Sequence, residues 1–412
     1  MQKVQFPQHQ ATKQEFIKSI VKFICQSGSS FSTVANPYFR QLFTSYTESV
    51  PILTRNNLAK DQLTLVYEET MVEVTQALNA YIQSGGKLKL QVDGWAGPKR
   101  KKYVNVVIKT DTRYFYWDSL ILSQDHNEHE SGKNVAQFLR NIVNKFGEGN
   151  VIAIGTDNAS NMRTTWEIIC KEFKTSTIFC YSCTAHALNI FAKEVIASSK
   201  FREIFKAVKA MLALMKNNEF LEFYLDLKQT PFGKMIPTYI EVRWCSTYTS
   251  LKFIYDHYEI IKLYSSFCGI SCILFDDGNF EKLHILCDVL GDIKEQLRHL
   301  EEDTSYIGDS YGAFSVLLHK MAMNSDNPEL QKMLKGVWNR SYNDINAVGF
   351  VLNPYCLYFA KTDSNLLIHH QYRQVTEHFD KIVDYITRKT LLFLKNGLIL
   401  KIIYSLKWIQ QF

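Results

Sequence analysis

The chain shows no sign of an export signal. Its opening stretch, MQKVQFPQHQATKQEF, has no apolar core, so no secretory leader is expected. Cysteines number nine, an odd count, and they are scattered rather than regularly spaced. That excludes a disulfide framework and predicts free thiols in a reducing compartment. An uninterrupted apolar span is missing as well. The nearest candidate, Leu391 to Ile409, is broken by Lys395, Lys401 and Lys407, and lysines are costly at bilayer depth, so no membrane partner is expected. There is no internal repeat and no low-complexity tract. Charged residues make up only 21% of the chain while aromatics reach 13%, which excludes the highly charged, disordered class. Before Asp93 there are too few correctly spaced Cys and His for a zinc finger.

What is present is ample core material, 46% hydrophobic residues, and a mild positive balance of +6 that leans toward an anionic partner. From about Gln14 to Gln83 the apolar spacing is helical. Phe16, Ile17, Ile20, Val21 and Ile24 share one face, and Leu63, Tyr67, Met71, Val74 and Leu78 share another. A connection containing Pro37 and Pro51 separates them. The period then switches to two. Lys87–Val92, Tyr103–Ile108 and Tyr114–Leu122 read as three antiparallel strands, with a turn over Gly94–Lys102.

An amphipathic helix over 131–146 follows, with Val135, Phe138, Leu139, Ile142, Val143 and Phe146 on its buried stripe. Val151–Ile154 is a short apolar strand leading into TDNASN and a helix, and Thr177–Tyr181 is a fifth strand before a helix from about Ala185. The order β-β-β-α-β-α-β-α predicts an α/β fold, a ribonuclease-H-like mixed sheet of three antiparallel strands plus two parallel ones. Beyond Phe201 the periodicity is almost entirely helical. The expected divisions are an N-terminal helical segment (1–85), the ribonuclease-H-like core (86–198), a large all-α insertion (199–387) and an atypical apolar and basic tail (388–412).

Four groups of residues could carry chemistry. Asp93 ends the first strand in QVDGW, and Asp157 ends the fourth in IGTDNASN. If those strands are neighbours, two carboxylates sit side by side, and a divalent cation would relieve their repulsion. Mg²⁺ suits such a site, with Mn²⁺ as the alternative, because it accepts carboxylate oxygens while keeping positions for phosphate and water. An Asp before a helix is also a common N-cap or turn residue, and for Asp157 both readings stay open. Cys180, Cys183 and His186 have a C-x-x-C-x-x-H spacing that matches half a zinc site. No second half is evident, so no structural zinc is expected. Arg243 and Trp244 could grip a phosphate and stack on a base, or simply pack a helix. Lys99, Arg100, Lys101 and Lys102, in PKRKK, could contact a phosphate backbone, serve nuclear import, or form a solvated hairpin tip.

In combination these pieces resemble the hAT transposase superfamily, in the branch whose core carries a domain of formerly unknown function. SSFSTVANPYFRQLF, DGW, TDNASN, CTAH with ALNI, VRWCST and FVLNPYCL occur in that family's order. The resemblance implies that Asp93 and Asp157 are the first two acids of a metal-binding triad. It also implies that Cys183 and His186 form the C-x-x-H element near the scissile phosphate, and that Arg243 and Trp244 form the Arg-Trp pair, whose Trp stacks on a flipped-out base. DNA is the implied partner, with a full-length relative as a second one, in the nucleus; no small-molecule substrate is expected. The family's third acid, a Glu in a C-terminal motif, has no match. After Pro354 the only acids are Asp363, Glu377, Asp380 and Asp384, and the tail TRKTLLFLKNGLILKIIYSLKWIQQF reads as truncated or out of frame. The expectation is a transposase-derived protein whose ancestral activity, Mg²⁺-dependent DNA cleavage and strand transfer, is incomplete or lost. The alternative is a non-catalytic nucleic-acid-binding or scaffold protein.

Overall fold

A computed structural model describes residues 13–44, 53–97, 101–122, 128–173, 178–216, 218–228, 244–302, 305, 307–323, 328–342, 346 and 349–350. The chain begins with helix α1 (Lys13–Ser27), a 3-10 turn over Phe31–Ala35 and α2 (Pro37–Thr44). Pro37 therefore opens a helix instead of lying in a connection. Its missing N–H costs nothing at the first helical position, and Asn36 Oδ1 accepts the N–H groups of Tyr38 (2.9 Å) and Phe39 (3.3 Å). The short α3 (Arg55–Asn57) is capped by Thr54, whose Oγ1 accepts from Asn57 N at 3.1 Å. It passes through a π-type turn into the long α4 (Leu63–Gln83). Ile20, Val21, Ile24, Val34 and Leu58 close a small core of their own.

The sheet contains β1 (Leu88–Ala96), β2 (Lys102–Lys109), β3 (Tyr114–Leu122), β4 (Val151–Thr156) and β5 (Phe179–Ser182). Their spatial order is β3-β2-β1-β4-β5. The first three are antiparallel, while β1–β4 and β4–β5 are parallel. This is the expected mixed sheet. β1 runs three residues past Asp93 because Gly94, Trp95 and Ala96 still pair with Val104, Tyr103 and Lys102. The turn expected over 94–102 is correspondingly shorter, and Gly97 N donates to Lys101 O at 2.8 Å across it.

Alternation decides which side of the sheet is covered. Leu88, Leu90, Val92, Val104, Val106 and Ile108 are buried with Leu78 of α4 and with the apolar stripe of α5 (Glu128–Phe146). α6 (Ser160–Glu172) joins the same core through Met162 and Ile169. α5 and α6 meet closely at Gly132, where an added Cβ would lie 2.6 Å from the Asn161 carbonyl oxygen and 2.8 Å from Thr164 Cβ. Arg140 and Glu172 form an ion pair across the same two helices.

After β5 every described element is helical: α7 (Thr184–Ala197), α8 (Arg202–Leu214), α9 (Asn218–Lys228), α10 (Trp244–Asp256), α11 (Tyr258–Phe267), short 3-10 turns aside, then α12 (Asn279–Leu300), α13 (Asp309–Met323) and α14 (Pro328–Ser341). These helices bury their own core. The α12 stripe of Leu283, Leu286, Leu290, Ile293 and Leu297 lies within it, as its spacing predicts. α14 returns to the sheet region. Ser182 Oγ donates to Ser341 O at 2.6 Å, and Arg340 pairs with Glu194 of α7 at 2.6 Å.

Candidate functional site

The parallel register fixes where the two acids stand. β1 and β4 pair Leu90 with Ile154 and Gln91 with Gly155. Two residues further along the same ladder, Asp93 comes level with Asp157. β4 and β5 pair Gly155 with Tyr181 and Thr156 with Ser182, which brings Cys183 to that level too. The Cys183 N–H donates to the Thr156 carbonyl at 2.7 Å. Three neighbouring strands thus present Asp93, Asp157 and Cys183 side by side. His186 follows in the first turn of α7. At this crevice the chain also diverges: β1 leaves toward β2 on one side, while β4 leaves through α6 toward β5 on the other. Such switch points at the carboxyl ends of strands are where open α/β sheets bind ligands.

Asp157 caps no helix, because α6 starts at Ser160 with Ala159 as its cap. Its Oδ1 accepts the Ala159 N–H at 2.9 Å in a tight local turn. Its Oδ2 faces β1, 3.7 Å from where a Cβ on Gly94 would stand. The Asp93 carboxyl is held above the usual range, first by burial and then by the negative charge of Asp157. His186 and the Gly94 N–H pull it weakly the other way. Asp93 still presents surface to water, so the surrounding protein desolvates its carboxyl only in part. Cys183 is in the same position, exposed yet recessed. Burial pushes its thiol up, the N–H groups of His186 and Ala185 oppose this, and the two carboxylates add to the rise. At neutral pH it is a neutral thiol rather than a thiolate. Beneath the crevice, Gln91 Nε2 donates to the Tyr181 hydroxyl at 3.1 Å, and burial raises that hydroxyl to about 12.

Other residues singled out from the sequence lie elsewhere. Cys180 turns into the sheet core, its sulfur 3.9 Å from that of Cys170 on α6, so the C-x-x-C-x-x-H spacing is split between two sides of β5. Among the described residues, no group of three or more His, Cys, Asp and Glu could hold a metal. Lys101 and Lys102 are exposed where β2 begins, beyond Asp93 along the hairpin. Lys99, Arg100 and Arg243 lie outside the described residues. So do the side chain of Trp244, whose backbone opens α10, and the tail 388–412. No described helix is long and apolar enough to cross a membrane.

The apolar alternation of the first three strands marks only one side of the sheet. On the other side the register aligns Trp95, Tyr103 and Ile121 in one row, and Asp93, Asn105 and Ser119 in the next. Gln91, Val107 and Tyr116 form a third, and Lys89, Lys109 and Tyr114 a fourth. Among the described residues, none of these side chains joins a core cluster. The signal was in the sequence: the positions alternating with the core residues carry aromatic rings where a merely solvated face would carry small polar groups.

Comparison with known proteins bears on the region that builds this crevice. Residues 54–211 match the family described as a domain of unknown function, DUF659. The match runs from Thr54 ahead of α3 into α8 and so takes in the whole sheet, both carboxylates and the Cys183–His186 element. No curated protein matches the chain.

Proposed function

We infer that this chain is a nucleic-acid-binding protein derived from an hAT-type transposase. On this reading Asp93 and Asp157 hold a divalent cation against a phosphate, and the ancestral strand cleavage and transfer is weak or lost. The observation that carries the reading is the register, which sets the two carboxylates level on adjacent parallel strands. The domain context supports it, since DUF659 domains occur in transposases of the hAT and BED-finger type.

The donor set fits one Mg²⁺, or Mn²⁺, of the sort that takes one or two carboxylates, keeps several waters and completes its shell with substrate phosphate oxygens. Such an ion would lower the charge of an attacked phosphate. Repulsion between Asp93 and Asp157 is the force it would relieve. His186, at the start of α7, would face the same phosphate, as would the helix's first N–H groups. Lys101 and Lys102 supply sequence-independent attraction to a backbone further along the hairpin. Among the described residues two carboxylates meet here, fewer than a two-metal in-line displacement needs, which favours binding over cleavage. Residence in the nucleus, and action beside a full-length relative, follow from this reading as expectations.

The deciding experiment is DNA nicking by the purified chain in Mg²⁺ or Mn²⁺, beside Asp93→Ala and Asp157→Ala. The expected result is background nicking in the parent, with DNA binding that weakens steeply as salt rises. Each substitution should abolish the cation-dependent part of that binding. Robust nicking lost in both variants would instead restore the full enzyme. Binding insensitive to salt and to both substitutions would sink the reading.

A further inference from the structure

A sheet covered on one side normally turns solvated polar chains to water on the other. The open face of β1–β3 departs from that pattern. Of its twelve paired positions four are aromatic, Trp95, Tyr103, Tyr114 and Tyr116, and only Val107 and Ile121 are aliphatic. Trp95, Tyr114 and Tyr116 are 45%, 49% and 50% exposed, values high enough for a ligand to reach the rings.

The rings are also held in place. Trp95 and Tyr103 stack with centroids 4.7 Å apart and planes at 16°. The hairpin backbone at Gly97 presses on that pair: a Cβ there would lie 2.5 Å from the Tyr103 ring and 3.3 Å from Trp95. Tyr116 is tethered through its hydroxyl to Ser119 Oγ at 2.6 Å, which in turn donates to Asn105 Oδ1 at 2.6 Å. Rings fixed before binding lose little freedom when a ligand arrives. Cations are interleaved with them. Lys109 Nζ sits 4.6 Å above the Tyr114 ring, and exposed Lys101 stands at the hairpin end, while Lys102, level with buried Leu122, belongs to the other side.

This chemistry favours one class of occupant. A docked protein helix would need a continuous apolar stripe, but the polar row of Asp93, Asn105 and Ser119 cuts across the face between the Trp95 and Tyr116 rows. An unpaired base offers a π-face for the rings, polar edges for Asn105 and Gln91, and a phosphate for the lysines. Paired bases stay stacked on each other and cannot use the rings. We propose that the open face of β1–β3 is a stacking platform for unpaired bases of a single-stranded nucleic acid, with Trp95–Tyr103 as its anchor. Its strand runs between Lys109 and Lys101, past the Asp93–Asp157 crevice. Along β1, Trp95 stands about 7 Å from Asp93, so a base stacked there places its neighbouring phosphate near the carboxylates. The proposal rests on the nucleic-acid reading above and adds the form of the ligand.

The test uses the full chain with a fluorescein-labelled single-stranded oligodeoxynucleotide, the RNA of the same sequence, and the matching DNA duplex. Anisotropy gives the three affinities for the parent, Trp95→Ala and Trp95→Phe. Single strands should bind more tightly than duplex. Trp95→Ala should weaken single-strand binding by about five- to a hundred-fold, the worth of one stacked base, and leave duplex binding within about two-fold. Trp95→Phe should recover most of the loss, which a general structural defect would not allow. A preference between the DNA and RNA strands would assign the sugar while supporting the platform. Equal losses on single strand and duplex would overturn it. So would unchanged single-strand affinity in Trp95→Ala, including the case where that variant instead abolishes self-association seen by light scattering, which would make the face a protein interface. Both of those results leave the nucleic-acid reading standing if the parent binds duplex; absence of all binding in the parent would remove both.

Discussion

The two faces of β1–β3 are made by the same three strands and obey the same alternation, yet they do opposite work. On the covered face Leu88, Leu90, Val104, Val106 and Ile108 are sealed beneath α4, α5 and α6. On the open face, one residue away at each step, Trp95, Tyr103, Tyr114 and Tyr116 line up with lysines and one of the two site carboxylates. Period-two geometry makes this division automatic: stability is stored on one side, and the other is free to vary with the ligand. Asp93 and Leu90 share a strand three residues apart, and they answer to different constraints.

Substitutions across the two faces should separate stability from binding. Leu90 is fully buried, so Leu90→Ala is expected to cost about 2–5 kcal/mol in urea unfolding, through lost transfer energy and the cavity left behind. Val107 lies on the open face beside Ile108, and Val107→Ala should stay within about 0.5 kcal/mol of the parent. Equal losses at the two positions would mean that the open face is covered in solution, and the comparison would collapse. A smaller effect is expected where helices cover the sheet. Gly132→Ala places a Cβ against the Asn161 carbonyl and Thr164. It should destabilise by about 1–3 kcal/mol through overpacking, even though alanine is the better helix former. A neutral or stabilising result, read in the same unfolding curves, would show that α5 and α6 can separate at no cost.

Much of this arrangement is legible in the residues. The switch from helical to period-two spacing at Lys87 locates β1, and the apolar run at Val151 locates β4, so the adjacency of Asp93 and Asp157 follows from the fold class alone. The burial of the α5 and α12 stripes follows from their spacing as well. Other features were not legible, for physical reasons. Pro37 opens a helix because a cap at Asn36 and a first-turn position make proline favourable there, which composition cannot distinguish from a loop. β1 outruns Asp93 because its partner strand is long enough to keep pairing, a property of β2 rather than of β1. The level position of Cys183 depends on β4–β5 register, and register is a tertiary fact. Cys180 and Cys183 have a ligand-like spacing and end up on different sides of one short strand.

The smallest expected effect concerns the carboxylate pair and tests whether the crevice trades stability for binding. Asp93 is raised above the ordinary carboxylate value, by burial first and by Asp157 second. A carboxyl whose folded pKa lies above its unfolded one binds its proton more tightly in the native state. Ionising it therefore costs stability once pH rises above the folded value, and the cost vanishes below the unfolded value of about 3.9. Asp93→Asn removes that cost, so the variant should melt at a higher temperature than the parent at pH 7. The two melting curves should converge as pH falls toward 4. Because Asp93 is still reached by water, the gain should be modest. Adding Mg²⁺ at pH 7 should narrow the difference from the other direction, by stabilising the parent and leaving the variant unchanged. An Asp93→Asn chain that melts lower than the parent at pH 7 would show that the carboxylate is a structural ligand, and the distinction between a face for folding and a face for binding would fail at its central residue.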